Sequence, residues 1–341
     1  MIAQTTPTGE AIARAVRDGF EVGDIARCAL LRRGFNHVYG LEFEDGRRLV
    51  ARLSAHRPRG EPNVEYEAAL LAHLKRAGVG VAASLPARDG SAALSMALPE
   101  GPRPLMLFEH LEGDPPADSL PDIEATGRCL AEMHDAAASY DGPPSRYRLE
   151  LPFLLDNPVR LLHTAPTMDD ALRADYAAAA QRLSERIAAL PGLERVHCHG
   201  DCHGSNNFMT DGPGGRRIAS FFDFDDAGPG FLAFELAVYL WAMHPRKPGK
   251  LLEGDELDRW RAYLKGYRSV RKLEDADFEA IALFVSVRQL WLFGEYAGRL
   301  DVWGTQSIPT AWLRKQVELL GAWLDLRTPA GPADGCRTML A

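Results

Sequence analysis

Residues 197–206 read HCHGDCHGSN, and residues 222–226 read FDFDD. Between them, two apolar-alternating runs are separated by DGPGG at 211–215, a composition suited to a tight turn. The spacing predicts a hairpin with strands at 207–210 and 218–222. Antiparallel pairing returns the outer ends of such a ribbon to one place. Asn206, just ahead of the first strand, and Asp223, just after the second, are therefore expected together, with Asp201 five residues upstream in the adjoining loop. Phosphoryl transfer needs this inventory: a carboxylate to orient and deprotonate an attacking hydroxyl, and oxygen donors for a Mg2+ ion bridging nucleotide phosphates.

Other readings of the same residues are weaker. His197, Cys198, His199, Cys202 and His203 are zinc-ligand types, but structural zinc sites draw paired ligands from two chain segments, and no second Cys/His pair occurs elsewhere. GVGVAA at 78–83 has the spacing of a dinucleotide fingerprint, yet it closes a helical pattern and runs into Ser84-Leu-Pro86, whereas that fingerprint must follow a strand and open a helix. No Gly-x4-Gly-Lys-Ser/Thr loop is present.

Outward from the hairpin, the chain changes character near residue 113. Upstream, Thr8 can cap a short helix ending near Gly19. Apolar-alternating runs at 29–32, 38–43 and 48–53 follow, the last two joined by Asp45-Gly46. A helix from Asn63 to Gly78 and a strand pair at 92–98 and 105–110 complete a small antiparallel sheet with one long helix. Downstream, helical periods cover 121–138, 168–189, 232–243, 256–267, 275–299 and 308–326, and a single hairpin interrupts them. The expectation is an α+β chain with a nucleotide-binding region at 1–113, a helical catalytic and substrate-binding region at 114–327, and a mobile Pro/Gly-rich tail at 328–341.

The whole chain has 341 residues, 46% of them hydrophobic, and a formal net charge of −8. That charge argues against nucleic acid or an anionic membrane as partner, since both require a basic surplus. Residues 1–113 carry 14 basic and 14 acidic side chains, so the remaining 25 basic and 33 acidic ones hold the entire excess. If those acids line a cleft they favour a cationic acceptor; spread over helix surfaces they confer only solubility. Five scattered cysteines, no long apolar span and no signal-like start lead to the expectation of a cytoplasmic protein with reduced thiols.

The combination of His199-x-Asp201-x4-Asn206 with Asp223 resembles the aminoglycoside phosphotransferase/choline kinase-like family, over about residues 7–325. The resemblance implies a bilobal protein-kinase-like fold with ATP in its cleft. It implies Asp201 as catalytic base, Asn206 and Asp223 as Mg2+ ligands, and His199 as a brace of the catalytic loop. Asp225 is a further ligand or a cap, and structural roles fall to Asp226 and Glu235. In the first region it implies a phosphate-covering loop at Gly34 and Asn36, Val50 on the adenine, and Arg52 on the phosphates where the family has lysine. A glutamate paired with that cation is Glu67 or Glu65, which lie about 200° apart around the helix. Main-chain groups near Glu109 and Leu111 would read the adenine edge. No Ala-Pro-Glu segment follows Asp226, which favours a small-molecule hydroxyl as acceptor, such as an aminoglycoside, amino alcohol or homoserine-like compound. The late helix, with Arg288, Trp291, Phe293, Glu295 and Tyr296, resembles the bacterial stress-response kinase and type II homoserine kinase branch, which keeps protein serine/threonine phosphorylation as an alternative. A nucleotide-binding pseudokinase is a second alternative, motivated by Arg52. The tryptophans of this region are core or acceptor-pocket residues.

Overall fold

A computed structural model describes residues 2–329. The chain forms two compact units: residues up to Glu112 together with Tyr140–Arg146, and Gly113–Ser139 together with the residues from Tyr147 onward.

The first unit opens with helix α1 (Gly9–Gly19), capped by the Thr8 hydroxyl, which accepts from the Ala11 N–H at 3.2 Å. Strands β1 (Ile25–Arg33), β2 (His37–Phe43) and β3 (Arg48–Leu53) follow, then helix α2 (Val64–Arg76), two short strands β4 (Ser84–Leu85) and β5 (Leu94–Met96), and β6 (Arg103–Glu109). The antiparallel sheet runs β1-β2-β3-β6-β4, with β5 also on β6. Its two faces differ because side chains alternate along a strand. Leu49, Ala51 and Leu53 of β3 join Tyr39, Leu41, Leu105 and Leu107 beneath Ile12, Val16 and Phe20, which fall on one side of α1 or just past its end. Each large apolar side chain buried there contributes about 1.5–3 kcal/mol. The opposite face carries Val50 and Arg52, in register with Phe108 and Met106 of β6.

Two helices accompany this sheet, the short lead helix and the longer one that the sequence pattern suggests. Asn63, expected to start α2, makes no side-chain cap. Its amide instead donates to Ser145 Oγ at 2.7 Å and accepts from the Arg146 N–H at 3.1 Å, holding Tyr140–Arg146 in the first unit. The expected boundary at 113 misses this return of the chain.

The second unit contains helices α3 (Leu120–Ala137), α4 (Asn157–Thr164), α5 (Asp170–Ala188), α6 (Leu232–Met243), α7 (Gly254–Arg268), α8 (Asp275–Ala297), α9 (Leu300–Trp303) and α10 (Thr310–Leu324). Between them lie β7 (Arg195–Cys198), β8 (Asn207–Asp211), β9 (Arg217–Phe221) and β10 (Gly228–Phe231). α3 and α7 meet at backbone distance: a Cβ on Gly127 would lie 2.1 Å from the Tyr263 carbonyl, and one on Gly266 would lie 1.9 Å from that of Glu124. α8 is apolar on nearly every side and is buried along most of its length.

Two antiparallel ribbons interrupt the helices, not one. The predicted hairpin is β8–β9, with Asn207 opposite Phe221. The second ribbon pairs β7 with β10, Cys198 opposite Gly228, and its short strands are too distant in sequence to show as a local signal. α4, entered through a π-helical turn at Pro152–Asp156, is also absent from the sequence expectation. Thr328 and Pro329, expected to begin a mobile tail, are held: Thr328 Oγ1 accepts from the Ala282 N–H at 3.0 Å, and the Pro329 carbonyl from Trp260 Nε1 at 3.2 Å. The rest of the predicted tail lies outside the described residues.

Among the described residues most acids beyond residue 113 lie exposed, spread over helices and loops, and others sit in half-buried ion pairs such as Glu124–Lys265 and Asp169–Arg314. The acidic surplus is thus spread out, the arm of the charge argument that concerns solubility. No helix among the described residues is long and apolar enough to cross a membrane.

Candidate active site

The candidate residues fall into two clusters, one in each unit. In the first unit, Arg52 projects from β3 toward Glu67 in the first turn of α2. The guanidinium meets the carboxylate edge-on, Nη1 to Oε1 at 2.8 Å and Nη2 to Oε2 at 2.5 Å, with both side chains buried. Its charge also lies 5.0 Å from the centroid of the Phe108 ring. The structure decides between the two glutamates: Glu65 is exposed and Glu67 is buried against Arg52.

Around this pair, Val50 sits two residues before Arg52 on the same face of β3. Gly34 lies in the β1–β2 turn, where its N–H donates to the Asn36 carbonyl at 3.0 Å. The Asn36 side chain turns back to accept from the Ala55 N–H at 3.1 Å, bracing that turn. At the end of β6 the Glu109 N–H is committed to the Ala83 carbonyl at 2.9 Å, and its carboxylate pairs with Lys75. Glu109 thus has only its carbonyl for a nucleotide edge, with half-buried Leu111 two residues on.

In the second unit, β7 delivers His199, Gly200 and Asp201 as a bend whose backbone is fixed by a side chain from α6. Glu235 accepts from the His199 N–H at 3.0 Å through Oε1 and from the Gly200 N–H at 2.9 Å through Oε2. Complete burial pushes the Glu235 carboxyl up to about 7, although the two amides work against that shift. Gly200 has φ +84, and a Cβ there would lie 2.4 Å from the Asp226 carbonyl, so only glycine lets the two loops touch.

His199 reads as a neutral ring. Its Nδ1 accepts from the Asp201 N–H at 3.3 Å, which leaves the proton on Nε2 to be donated to the Phe222 carbonyl at 2.9 Å. Burial pulls its pKa down to about 4, in keeping with that tautomer. The imidazole is a bridge between two loops and not a proton carrier for substrate.

Asp201 ends this bend with 21% of its side chain exposed, enough to be reached from outside. Asn206 donates Nδ2 to the Asp201 carbonyl at 2.9 Å and to Oδ2 at 3.2 Å. Arg288, from α8, puts Nη2 on Asp201 Oδ1, and His203 Nε2 stands 3.6 Å from Oδ2. The Phe222 N–H donates to the Asn206 carbonyl at 3.0 Å, extending the hairpin by one pair and setting Asn206 beside the start of Asp223. Asp223 has φ 68, the only left-handed non-glycine among the described residues. The Asp225 carbonyl accepts from Tyr147 Oη at 2.6 Å, and Asp226 is buried.

These donors suit Mg2+ better than zinc. Among the described residues no group of three or more His, Cys, Asp or Glu side chains converges on a metal position, and Cys198 and Cys202 are buried in the core. With its amide nitrogen committed to Asp201, Asn206 has Oδ1 to offer, and Asp223 adds a carboxylate. One amide oxygen and one carboxylate, completed by phosphate and water, is a common protein share for Mg2+.

The structural role expected of Glu235 is seen in the structure, and the contact of Arg288 with Asp201 adds to what the sequence suggests for the late helix. Glu235 and Arg288 are single charges within otherwise apolar helical stretches, LAFELAVYLWAM and FVSVRQLWLF. A buried charge needs a partner, and that is the signal that points from Arg288 to a carboxylate such as Asp201.

The sequence model of the phosphotransferase enzyme family matches residues 28–273. An uncharacterized protein of Deinococcus radiodurans is 36% identical over 296 residues, covering 86% of this chain and 84% of that protein. A homoserine kinase of Cupriavidus taiwanensis is 29% identical over 313 residues, covering 86% and 88% of the two chains. Among solved structures, a microcompartment-associated aminopropanol kinase aligns with a TM-score of 0.68 and 24% identity over 92% of this chain and 95% of its own. Amicoumacin kinase, solved with AMP-PNP and Ca2+, aligns with a TM-score of 0.72 and 19% identity over 94% and 96%. The structural likenesses show the protein-kinase-like α+β fold of such kinases, and the sequence matches show that this chain belongs to the phosphotransferase enzyme family.

Proposed function

We propose that the protein transfers the γ-phosphate of ATP, with Mg2+, to a hydroxyl group of a small molecule. The observation that carries this reading is the Asp201 carboxylate: accessible, on a bend whose amides are fixed by Glu235, and hydrogen-bonded by Asn206, which the hairpin pairs with the residue before Asp223. Asp201 accepts a hydrogen bond from the acceptor hydroxyl, aims its oxygen at the γ-phosphorus and takes its proton as the new O–P bond forms and the bond to the β-phosphate oxygen breaks, releasing ADP. Asn206 and Asp223 would hold Mg2+, which when bound neutralises phosphate charge. Arg52 meets the phosphates as half of a pair already neutralised by Glu67, so it contributes directed N–H groups more than net charge.

A small acceptor is supported by the path after Asp226, which passes through β10 directly into α6 and has no room for a long peptide-binding segment. The relatives act in the same sense by their names, homoserine kinase and aminopropanol kinase. The test is a panel of amino alcohols, homoserine, sugars, aminocyclitols, aminoglycosides and a generic protein, incubated with Mg-ATP and scored by mass gain of one phosphate. Labelling of protein alone would replace this reading with a protein kinase, and absence of any turnover would leave a nucleotide-binding pseudokinase.

A further inference from the structure

The Asp201 carboxylate is met by two side chains from beyond its own bend. Asn206 Nδ2 comes to Oδ2 at 3.2 Å, and Arg288 Nη2, from α8, comes to Oδ1. Each oxygen thus has a fixed donor and keeps a lone pair for another. Glu235 sets where the bend lies, and these two contacts set how the carboxylate is turned upon it.

Arg288 is itself held from several sides. It is buried, and its guanidinium carbon lies 4.4 Å from the ring centroid of Trp291 and 5.2 Å from that of Trp241. Trp241 is fixed in turn, donating Nε1–H to Gln289 Oε1 at 2.6 Å, while Gln289 Nε2 donates to Gln316 Oε1 of α10 at 3.2 Å. Consecutive residues of α8 therefore hold the carboxylate and one of the rings beside the guanidinium. The charges are balanced as well. On Glu235, burial acts first and upward and the two amide bonds downward; after them the charge of Asp201 pushes its carboxyl up and that of Arg288 pulls it down. Arg288 is thus the counter-charge of two carboxylates, one in contact and one within electrostatic reach.

Such a residue is a poor means to stability alone. Exchanging a buried ion pair for apolar residues of similar volume is often neutral or favourable, and α8 is apolar on nearly every side. Its charge is kept where it touches a carboxylate that is reached from outside.

We infer that Arg288 is a positioning residue for the transfer: it fixes the rotation of the Asp201 carboxylate, so that the base meets the acceptor hydroxyl already aimed, and screens it from Glu235. This rests on the phosphotransfer reading above and deepens it, whichever hydroxyl compound is the acceptor. The planar guanidinium fork matches the edge of a carboxylate, which an ammonium on a flexible stem does not. The transfer itself is unaltered: the acceptor oxygen bonds to the γ-phosphorus, its proton passes to Asp201, and ADP leaves.

The experiment measures ADP release with Mg-ATP and the panel compound that gains most phosphate. Arg288→Gln should lower kcat by about 10–100-fold, the scale on which a small misplacement of a reacting group acts. The KM for ATP and the calorimetric affinity for Mg-AMP-PNP should stay within about twofold, since what is lost is made in the transition state. Arg288→Lys, which keeps the charge and loses the fork, should lower kcat by about tenfold or less. Methylguanidinium should restore part of the kcat of Arg288→Ala, and methylammonium should not. In an Asp201→Ala background, Arg288→Gln should cost nothing further, because residues that act as a unit are not additive. A residue that served packing alone would lower the rate in both backgrounds. Unchanged kcat in Arg288→Gln, equal losses with and without Asp201, or equal rescue by the two cations would overturn the positioning role and leave phosphotransfer standing. If Arg288→Gln does not fold, Arg288→Lys at a retained Tm carries the same comparison. Absence of transfer by the wild-type protein to every panel compound would overturn both.

Discussion

The two units hold their functional groups by different means. In the first, a side chain holds a side chain: Glu67 grips Arg52, and the backbone around them is ordinary strand and helix. In the second, a side chain holds the main chain: Glu235 grips two peptide N–H groups, and the loop it fixes depends on Gly200 at φ +84 and faces Asp223 at φ 68. A charge on a regular strand can be aimed by a partner of complementary shape. A base at a bend has to be aimed by fixing the bend itself, and only backbone contacts do that.

The contrast is tested most strongly at Asp201. Asp201→Ala should lower ADP release in the presence of acceptor by about 10²–10⁴-fold, the usual range for a general base, while Mg-ATP binding measured by calorimetry is retained. Retained turnover would remove Asp201 from the mechanism. In the first unit, Glu67→Ala strands a buried guanidinium and should destabilise the protein by about 3–5 kcal/mol in denaturant unfolding. Changing both partners to apolar residues should recover most of that loss while leaving transfer impaired, which would separate the pair's structural role from its functional one.

Smaller effects are expected where the main chain is held. Glu235→Gln faces an amide NH2 toward one of two backbone donors and should cost about 1–3 kcal/mol. It should also lower kcat more than it changes the KM for ATP, because what loosens is the bend carrying Asp201. A uniform loss of stability with unchanged kcat would mean that the bend is fixed by other contacts.

The smallest effect is the pH response. His134, which lies in α3 with Nδ1 2.9 Å from the Tyr267 hydroxyl, and His199 are buried neutral, with pKa values pulled from 6.5 down to about 3 and about 4. Their stabilising contribution is full above 6.5 and is lost as pH falls, because the unfolded chain takes up protons that the folded one refuses. Glu235, raised from 4.5 to about 7, acts with the opposite sign over that window, its contribution being lost as pH rises. Two histidines against one glutamate, which His134 itself approaches to 4.0 Å, leave a net fall in stability between pH 7 and pH 5. It should appear as a lower Tm at pH 5, and His134→Gln should flatten the slope; an unchanged slope would show that His134 does not titrate on unfolding.

The same contrast explains what could be read from the sequence. The β8–β9 hairpin and the placement of Asn206 beside Asp223 follow from a local turn and the geometry of pairing, so both are legible in one stretch of chain. The Arg52 pairing is legible only in part: the helix period shows that just one of Glu65 and Glu67 can face the sheet, and the fold decides for Glu67. The β7–β10 ribbon is not, since its strands of four residues lie 29 residues apart across the Cys198–Gly228 gap and have no local pattern to join them. The grip of Glu235 on peptide groups is hidden for a related reason: its partners are main-chain atoms, which have no letter in the sequence. Arg288 is visible as an isolated charge on an apolar helix, but its partner is 87 residues away.

One feature of the fold gives a means of watching this segment directly. Cys198 and Cys202 bracket the bend at Asp201, both buried, and burial holds each thiol far above its usual pKa. Neither is a nucleophile while the fold is closed, so an alkylating reagent can reach them only when the segment opens. Their labelling rate, located by peptide mass spectrometry, is a built-in clock for the breathing of the Asp201 segment, and on the proposed function Mg-ATP should slow it.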